Sequence, residues 1–264
     1  MRVRMLRRST SVRVGGALSL ALIIVARAGA DDGPGCVLSQ AALYEANQMT
    51  PDISTTEFAA IAASRSQPVL DVRSALEYAI AHVPGSINLW EKEVDRITQT
   101  FPDRSARLVL YCNGPYCGKS KRVSESLVQL GYTNVRRYQL GMPLWRALGN
   151  TVQTDIEGVR YIWSGDMTAI WVDARPREDY LRATLPGAVT VMAGEADAAN
   201  EDGRLPQWDK GTRVVVFGRT PEQARVVAAE IARKAYWNSS FFGGTYEDLV
   251  AAALSRPAAC LPAR

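Results

Sequence analysis

Cys112 and Cys117 are the residues best placed to do chemistry. They are separated by Asn113-Gly114-Pro115-Tyr116 and followed by Gly118-Lys119. A cysteine acts as its thiolate, so its surroundings decide whether it reacts. The apolar run Leu108–Tyr111 reads as a buried strand ending at Cys112, and Ser120–Leu130 reads as an amphipathic helix through Val123, Leu127 and Leu130. A cysteine at the carboxyl end of a parallel strand opens onto the crevice where α/β sheets bind ligands. Gly114 permits the backbone angles that turn loop N–H groups inward. A helix starting near Gly118 adds a partial positive charge, and Lys119, Lys121 and Arg122 add full ones. Each of these effects lowers a thiol pKa and holds an anion. The expected site is therefore Cys112 as nucleophile, with Asn113, Gly114, Pro115, Tyr116, Cys117, Gly118 and Lys119 as its binding loop. The same two thiols can also cycle between dithiol and disulfide, although the spacing is not Cys-x-x-Cys. Two close cysteines and the single histidine, His82, fall short of a metal site, and nothing calls for a cofactor.

The elements that position Cys112 occur twice. Asp71-Val-Arg73, Glu77-Tyr78 and Val83-Pro84-Gly85 recur as Asp173-Ala-Arg175, Asp179-Tyr180 and Leu185-Pro186-Gly187 at a constant offset. Leu108–Tyr111 is answered by Val214–Phe217, and Gly131-Tyr132-Thr-Asn134 by Ala235-Tyr236-Trp-Asn238. Matches at fixed spacing imply a duplicated domain. Within each copy strand and helix signals alternate. Val69–Val72 and Asn134–Tyr138 read as strands, Ser54 and Ser74 open helices with capping boxes, and Thr220-Pro-Glu-Gln223 opens another. This pattern predicts two α/β domains, each a mainly parallel sheet with helices on both faces. The joint falls near Leu148–Asp155. Asp71, Arg73 and their repeats are expected to hold the fold, as is His82 in its His-Val-Pro-Gly turn. Trp145 and Tyr132 are expected in the core. In the second copy Gly218 stands where Cys112 stood, and the passage to the helix is about two residues shorter. Arg219 there reads as an exposed loop arginine.

The first 30 residues carry six arginines and no acid, followed by the apolar run Ala17–Ala26 and Ala28-Gly29-Ala30. That is the layout of a cleaved export signal, with an apolar stretch too short to span a bilayer. An uncleaved anchor or a transit peptide are the alternatives. Without this segment the net charge falls from +4 to −2, which removes any argument for nucleic acid or an anionic membrane. The chain thus reads as a signal (1–30), an extension (31–50), a domain with Cys112 (51–150), a copy without it (151–255) and a tail (256–264), exported and periplasmic. Cys36 and Cys260 flank the two copies, where an oxidising compartment permits a disulfide.

Leu70-Asp-Val-Arg73, Glu77-Tyr78 and His82-Val-Pro-Gly-Ser-Ile-Asn88 resemble the first block of rhodanese domains. Leu108-Val-Leu-Tyr-Cys112, Gly131-Tyr132 and Gly141-Met-Pro-Leu-Trp145 resemble their second half. The resemblance covers nearly all of 51–148 and, more weakly, 160–253. It implies a sulfurtransferase that takes sulfur from a small anionic donor, or a persulfide-carrying thiol, as a Cys112 persulfide and passes it on, a protein being one conceivable acceptor. Family loops often run Cys-x-x-Gly-x-Arg. Here the glycine, Gly114, is the third loop residue, and Cys117 takes the place of the arginine, so the cations follow in the helix. The longer loop of related phosphatases, ending in arginine, is missing. The copy lacking the cysteine is read as inactive. A thiol–disulfide protein and a non-catalytic binding module of the same fold remain the rival readings.

Closing the long loop between Cys36 and Cys260 would stabilise the chain by about 5 kcal/mol on the chain-entropy model. Non-reducing peptide mapping of exported protein is expected to recover the two cysteines in one linked peptide pair. Two free thiols would refute the link.

Overall fold

Parallel strands cannot be joined by tight turns, so each must be followed by a crossover, here helical. A computed structural model describes residues 47–252. Its first half runs α1 (Thr55–Ser64), β1 (Val69–Asp71), α2 (Ala75–Ile80), β2 (Ile87–Asn88), a 3₁₀ segment (Glu91–Arg96), α3 (Ile97–Thr100), β3 (Arg107–Tyr111), α4 (Lys119–Gln129), β4 (Asn134–Tyr138) and α5 (Gly141–Ala147). The second half runs β5 (Gln153–Thr154), α6 (Ile156–Gly165), β6 (Ile170–Asp173), α7 (Arg177–Arg182), β7 (Val189–Thr190), α8 (Ala196–Glu201), β8 (Val214–Phe217), α9 (Pro221–Arg233), β9 (Ser239–Phe242) and α10 (Tyr246–Ala251). The leader at 1–30, Cys36 and Cys260 lie outside the described residues.

The strands form two separate sheets, ordered β2-β1-β3-β4 and β5-β9-β8-β6-β7, with every pair parallel. A parallel bridge from Asp52 to Arg137 takes the place in the first sheet that β5 takes in the second. Alternation along β3 sends Val109 and Tyr111 to one face, where they pack with Phe58, Met142 and Trp145 of α1 and α5. It sends Leu108, Leu110 and Cys112 to the other face, against Val123 and Leu127 of α4. Strand periodicity therefore decides which helix the Cys112 side chain meets. Trp145 and Tyr132 are buried, as their sequence setting implies.

The repeat extends to individual hydrogen bonds. Asp71 and Asp173 are fully buried, each gripped by the arginine two residues on, at 2.5 and 2.7 Å. That arginine also donates to Ala81 O in one copy and Ala183 O in the other, and Tyr78 and Tyr180 close the following turns by donating to Ser86 O and Ala188 O. The copies differ in which side chain completes this network. Tyr111 donates to Asp71 Oδ2 at 2.7 Å and accepts from Val83 N. Phe217 has no hydroxyl to offer, and Thr184 donates to Asp173 Oδ2 instead, at 2.8 Å. His82, at the position matching Thr184, has its Nδ1 2.9 Å from Tyr78 O and stacks on the Tyr78 ring. Burial lowers its pKa, which keeps the imidazole neutral in a structural role.

The copies are joined through backbone. His82 and Gln153 exchange two hydrogen bonds of 2.9 Å, and Asp155 N donates to Ala79 O. Gly158 of α6 lies so close to α2 that an added Cβ would fall 2.0 Å from Ala79 O. Of the expected capping boxes, Ser74 with Glu77 forms one in full. Ser54 makes only half of one, and Gln223 accepts from Arg219 N and not from Thr220.

Tyr111→Phe copies the second domain's residue into the first without the threonine that compensates for it, leaving Val83 N and Asp71 short of partners. A loss of about 1–3 kcal/mol is expected, measured as a lowered urea midpoint with an unchanged m-value.

Candidate functional site

Cys112 follows β3 and is fully buried. Its sulfur lies 3.5 Å from Ser120 Oγ and 3.8 Å from the Gly114 carbonyl. Ser120 sits in the first turn of α4, whose N-cap, Gly118 at φ +68°, makes no side-chain capping bond. The helix thus presents the Ser120 N–H and hydroxyl to the sulfur. The loop rests on Gly141, at φ +60°, where a Cβ would fall 2.2 Å from Cys112 O and 2.5 Å from Gly114 N. Only glycine fits there, and Met142 N beside it donates to Cys112 O at 3.0 Å.

The predicted loop residues separate into distinct environments. Asn113 is exposed yet anchored, donating to Glu77 Oε1 at 2.6 Å and accepting from Arg73 at 3.3 Å. Gly114 adopts φ +101°, and its carbonyl accepts from Cys117 N at 3.0 Å. Pro115 is half-buried, and Tyr116 is 96% exposed at the tip, away from the sulfur. Cys117 is half-buried in the apolar cluster that holds Cys112, and both thiols are free. Lys119 reaches Glu77 at 3.1 Å.

Two expectations from sequence are corrected. Cys112 does not lie open to a crevice, because strand alternation turns it inward onto α4. Its pKa is raised and not lowered. Burial is the largest cause; the Ser120 hydroxyl and N–H oppose it, while the neighbouring Cys117 thiol adds to it. The helix cations bring little relief because carboxylates claim them. Lys119 pairs with Glu77, Lys121 with Glu125 and Arg122 with Glu91. Burial alone would raise the pKa of Glu77, but bonds from Lys119, Ser74 and Asn113 bring it down to about 2.

Ser120 and Glu77 belong to the site although sequence reasoning did not select them. Ser120 lies on the helix stripe of Val123 and Leu127, and Glu77 has an acidic counterpart in Asp179, which were the available signals. In the second copy Arg219, read as a plain loop arginine, binds Asp179 at 2.7 Å. There the six-residue connection Asn113–Gly118 shrinks to Arg219 and Thr220. The whole passage is two residues shorter, and α9 starts early. A Cβ on Gly218 would fall 2.9 Å from Gln223 Oε1 and 3.2 Å from Ala224 N.

Two tandem domains, each a parallel sheet between helices, with a cysteine at one strand-to-helix loop, define the class of this protein. The chain belongs to the rhodanese-like family, matching the Rhodanese-like domain over residues 54–148 and 160–252. It is 40% identical over 68 residues, 25% of its length, to the thiosulfate sulfurtransferase PspE of Escherichia coli, and covers 62% of that protein. It is 35% identical over 82 residues, 31% of its length, to the HTH-type transcriptional regulator Rv0324 of Mycobacterium tuberculosis, covering 35% of it. A solved thiosulfate sulfurtransferase from Pseudomonas aeruginosa is similar at 20% identity and a TM-score of 0.36, over 77% of this chain and 42% of that one. The chain spans less than two thirds of each of these proteins.

Because burial holds Cys112 protonated, its alkylation by iodoacetamide should rise with pH through and beyond the ordinary thiol range. Ser120→Ala removes a donor to the thiolate and should move the profile to higher pH. Cys117→Ser should move it lower. Peptide mass spectrometry after timed alkylation measures both, and a profile that levels off below the ordinary thiol range would contradict the assignment.

Proposed function

We propose that this protein is an exported sulfurtransferase that carries sulfane sulfur as a persulfide on Cys112, in the first domain alone. The observation that carries this reading is the pair of donors from Ser120 trained on a cysteine at the junction of β3 and α4. The family membership and the sulfurtransferases among its relatives support it. In the proposed step the Cys112 thiolate attacks the outer sulfur of a donor R–S–SH. The S–S bond to that outer sulfur breaks, the thiolate RS⁻ departs with the bonding pair, and Cys112–S–SH remains. An acceptor thiolate then attacks the outer sulfur and regenerates the Cys112 thiolate. A small sulfur-donor anion serves equally as donor, and a protein thiol as acceptor. Since Cys112 is buried and its pKa raised, the loop Asn113–Gly118 must yield before a donor arrives, with Gly114 and Gly118 as its pliable points. The second domain is assigned a structural role, because Gly218 has neither a thiol nor space for one. Export with cleavage before Asp31 into the periplasm completes the reading.

The contact between Cys117 and the Cys112 thiol favours one second reading, a dithiol–disulfide carrier. Treatment with sulfur donors should add one sulfur to the Cys112 peptide, and Cys112→Ser should lose the adduct together with all transfer. Gly218→Cys should gain no persulfide at a comparable rate. Cys117→Ser should keep transferring sulfur. Complete loss of activity in that variant would replace the sulfurtransferase reading with the dithiol one.

A further inference from the structure

A persulfide on Cys112 forms inside the protein, where one other thiol already stands. Cys112 has no exposure to water, so an acceptor from solution reaches it only when the loop opens. Cys117 is part of that loop. It is half-buried and packs against the apolar cluster that contains Cys112. A turn over Gly114–Cys117 folds it back: Cys117 N donates to Gly114 O at 3.0 Å, and the same carbonyl lies 3.8 Å from the Cys112 sulfur. The two cysteines thus converge on one backbone oxygen. Their thiols are in hydrogen-bond contact, and both are free. A disulfide requires the two Cβ atoms about 3.8 Å apart and side chains that point together. Gly114 at φ +101° and Gly118 at φ +68° bracket the turn, at the points where the backbone can give to reach that geometry.

We propose that Cys117 resolves the Cys112 persulfide from within, and that the protein thereby releases sulfide, an activity separate from sulfur transfer. This rests on the reading of Cys112 as the sulfur acceptor. In transfer an external thiolate attacks the outer sulfur. In resolution the Cys117 sulfur attacks the inner one, Cys112 Sγ. A bond forms between the two Sγ atoms, the bond from Cys112 Sγ to the outer sulfur breaks, and the bonding pair leaves with the outer sulfur. The proton of the Cys117 thiol goes with it. Cys112–S–S⁻ and Cys117–SH become the Cys112–Cys117 disulfide and HS⁻, with one negative charge on each side. Cys117 is oxidised and the outer sulfur is reduced, so no outside oxidant enters. Hydrosulfide is a weaker base than a cysteine thiolate and therefore the better leaving group. A dithiol from solution, R(SH)₂, then restores both thiols by exchange and is itself oxidised to its disulfide. Burial sets the balance between the two fates. The internal thiol acts at the high effective concentration of an intramolecular reactant, whereas an external acceptor waits for the loop to open. While a dithiol is supplied the protein makes sulfide. Once it is exhausted, the disulfide keeps both sulfurs from overoxidation.

The test follows the sulfur after a single loading. The reduced full chain is treated with glutathione persulfide without oxygen and desalted at once. Released sulfide is trapped with monobromobimane, and the peptides are mapped by mass spectrometry without reductant. Sulfide should appear in a burst, matched in amount and rate by a linked pair of Cys112 and Cys117. Treatment with dithiothreitol, desalting and reloading should give a second burst of the same size. Cys117→Ser and Cys117→Ala should both hold the sulfur on Cys112 for about tenfold longer or more, with sulfide release slowed in proportion. The measurement on the parent stands whether or not the variants fold. A persulfide that decays as fast in both variants as in the parent overturns resolution by Cys117. So does a disulfide formed without matching sulfide, or sulfur recovered on Cys117 in place of the link. These outcomes leave Cys112 standing as the sulfur carrier. Absence of sulfur on Cys112 in both variants, each folded by circular dichroism, together with no sulfide from the parent, overturns the persulfide reading itself and resolution with it.

Discussion

A carboxylate with no exposure to water, held by the arginine two residues along the chain, is the constraint around which each domain is organised. Asp71 stands at the end of β1, where its backbone carbonyl also receives Leu89 N and its side chain receives Arg73 and Tyr111. Through Arg73 the same carboxylate is tied to Ala81 O before the Pro-Gly turn and to Asn113 in the Cys112 loop. Removing one partner of such a buried pair costs about 3–5 kcal/mol, because the other charge is left without water or counter-ion. Strand, turn and loop are therefore fixed together. The second copy keeps this arrangement at Asp173 and Arg175 although it has no cysteine to position, which marks the pair as architecture first.

What distinguishes the first copy is space at the end of the central strand. Six residues between Cys112 and α4, with glycine at both flexible points and Gly141 beneath, leave room for a sulfur and two donors from Ser120. Two residues between Gly218 and α9 close the same volume with Gln223 and the helix backbone. The central strands and the crossover helices are otherwise alike, so the difference lies in a loop, the part of the fold least constrained by packing.

The electrostatics of the thiol show why counting charges is a poor guide to a pKa. Three basic residues stand in the first four positions of the helix after Cys112, yet its pKa goes up. Glu77, Glu91 and Glu125 lie within reach of those cations, and ion pairs near the surface cancel most of their field beyond a few ångströms. Burial then dominates, opposed by the hydroxyl and N–H of Ser120 alone. Arg146 is the reverse case: nothing in its sequence setting marks it, and among the described residues no carboxylate pairs with it, because its neighbours are Asn238 and Arg213 across the domain boundary and Arg73 on its own side.

Much of this protein can be read from local order along the chain. The repeat at constant spacing, the alternation of strand and helix, the placement of Cys112 after an apolar run and of Gly218 at its counterpart all follow from periodicity and motif, since a strand or helix face is determined by residues a few positions apart. The structural role of Asp71 and Arg73 was equally legible, because both recur in the copy without a cysteine. The burial of the thiol, the carboxylates that occupy the α4 cations, the compensation of Phe217 by Thr184 and the contact of Arg146 with Asn238 were not. Each depends on side chains brought together from distant segments, and which charges meet, and how much water stays between them, is settled only when the two sheets and their helices pack.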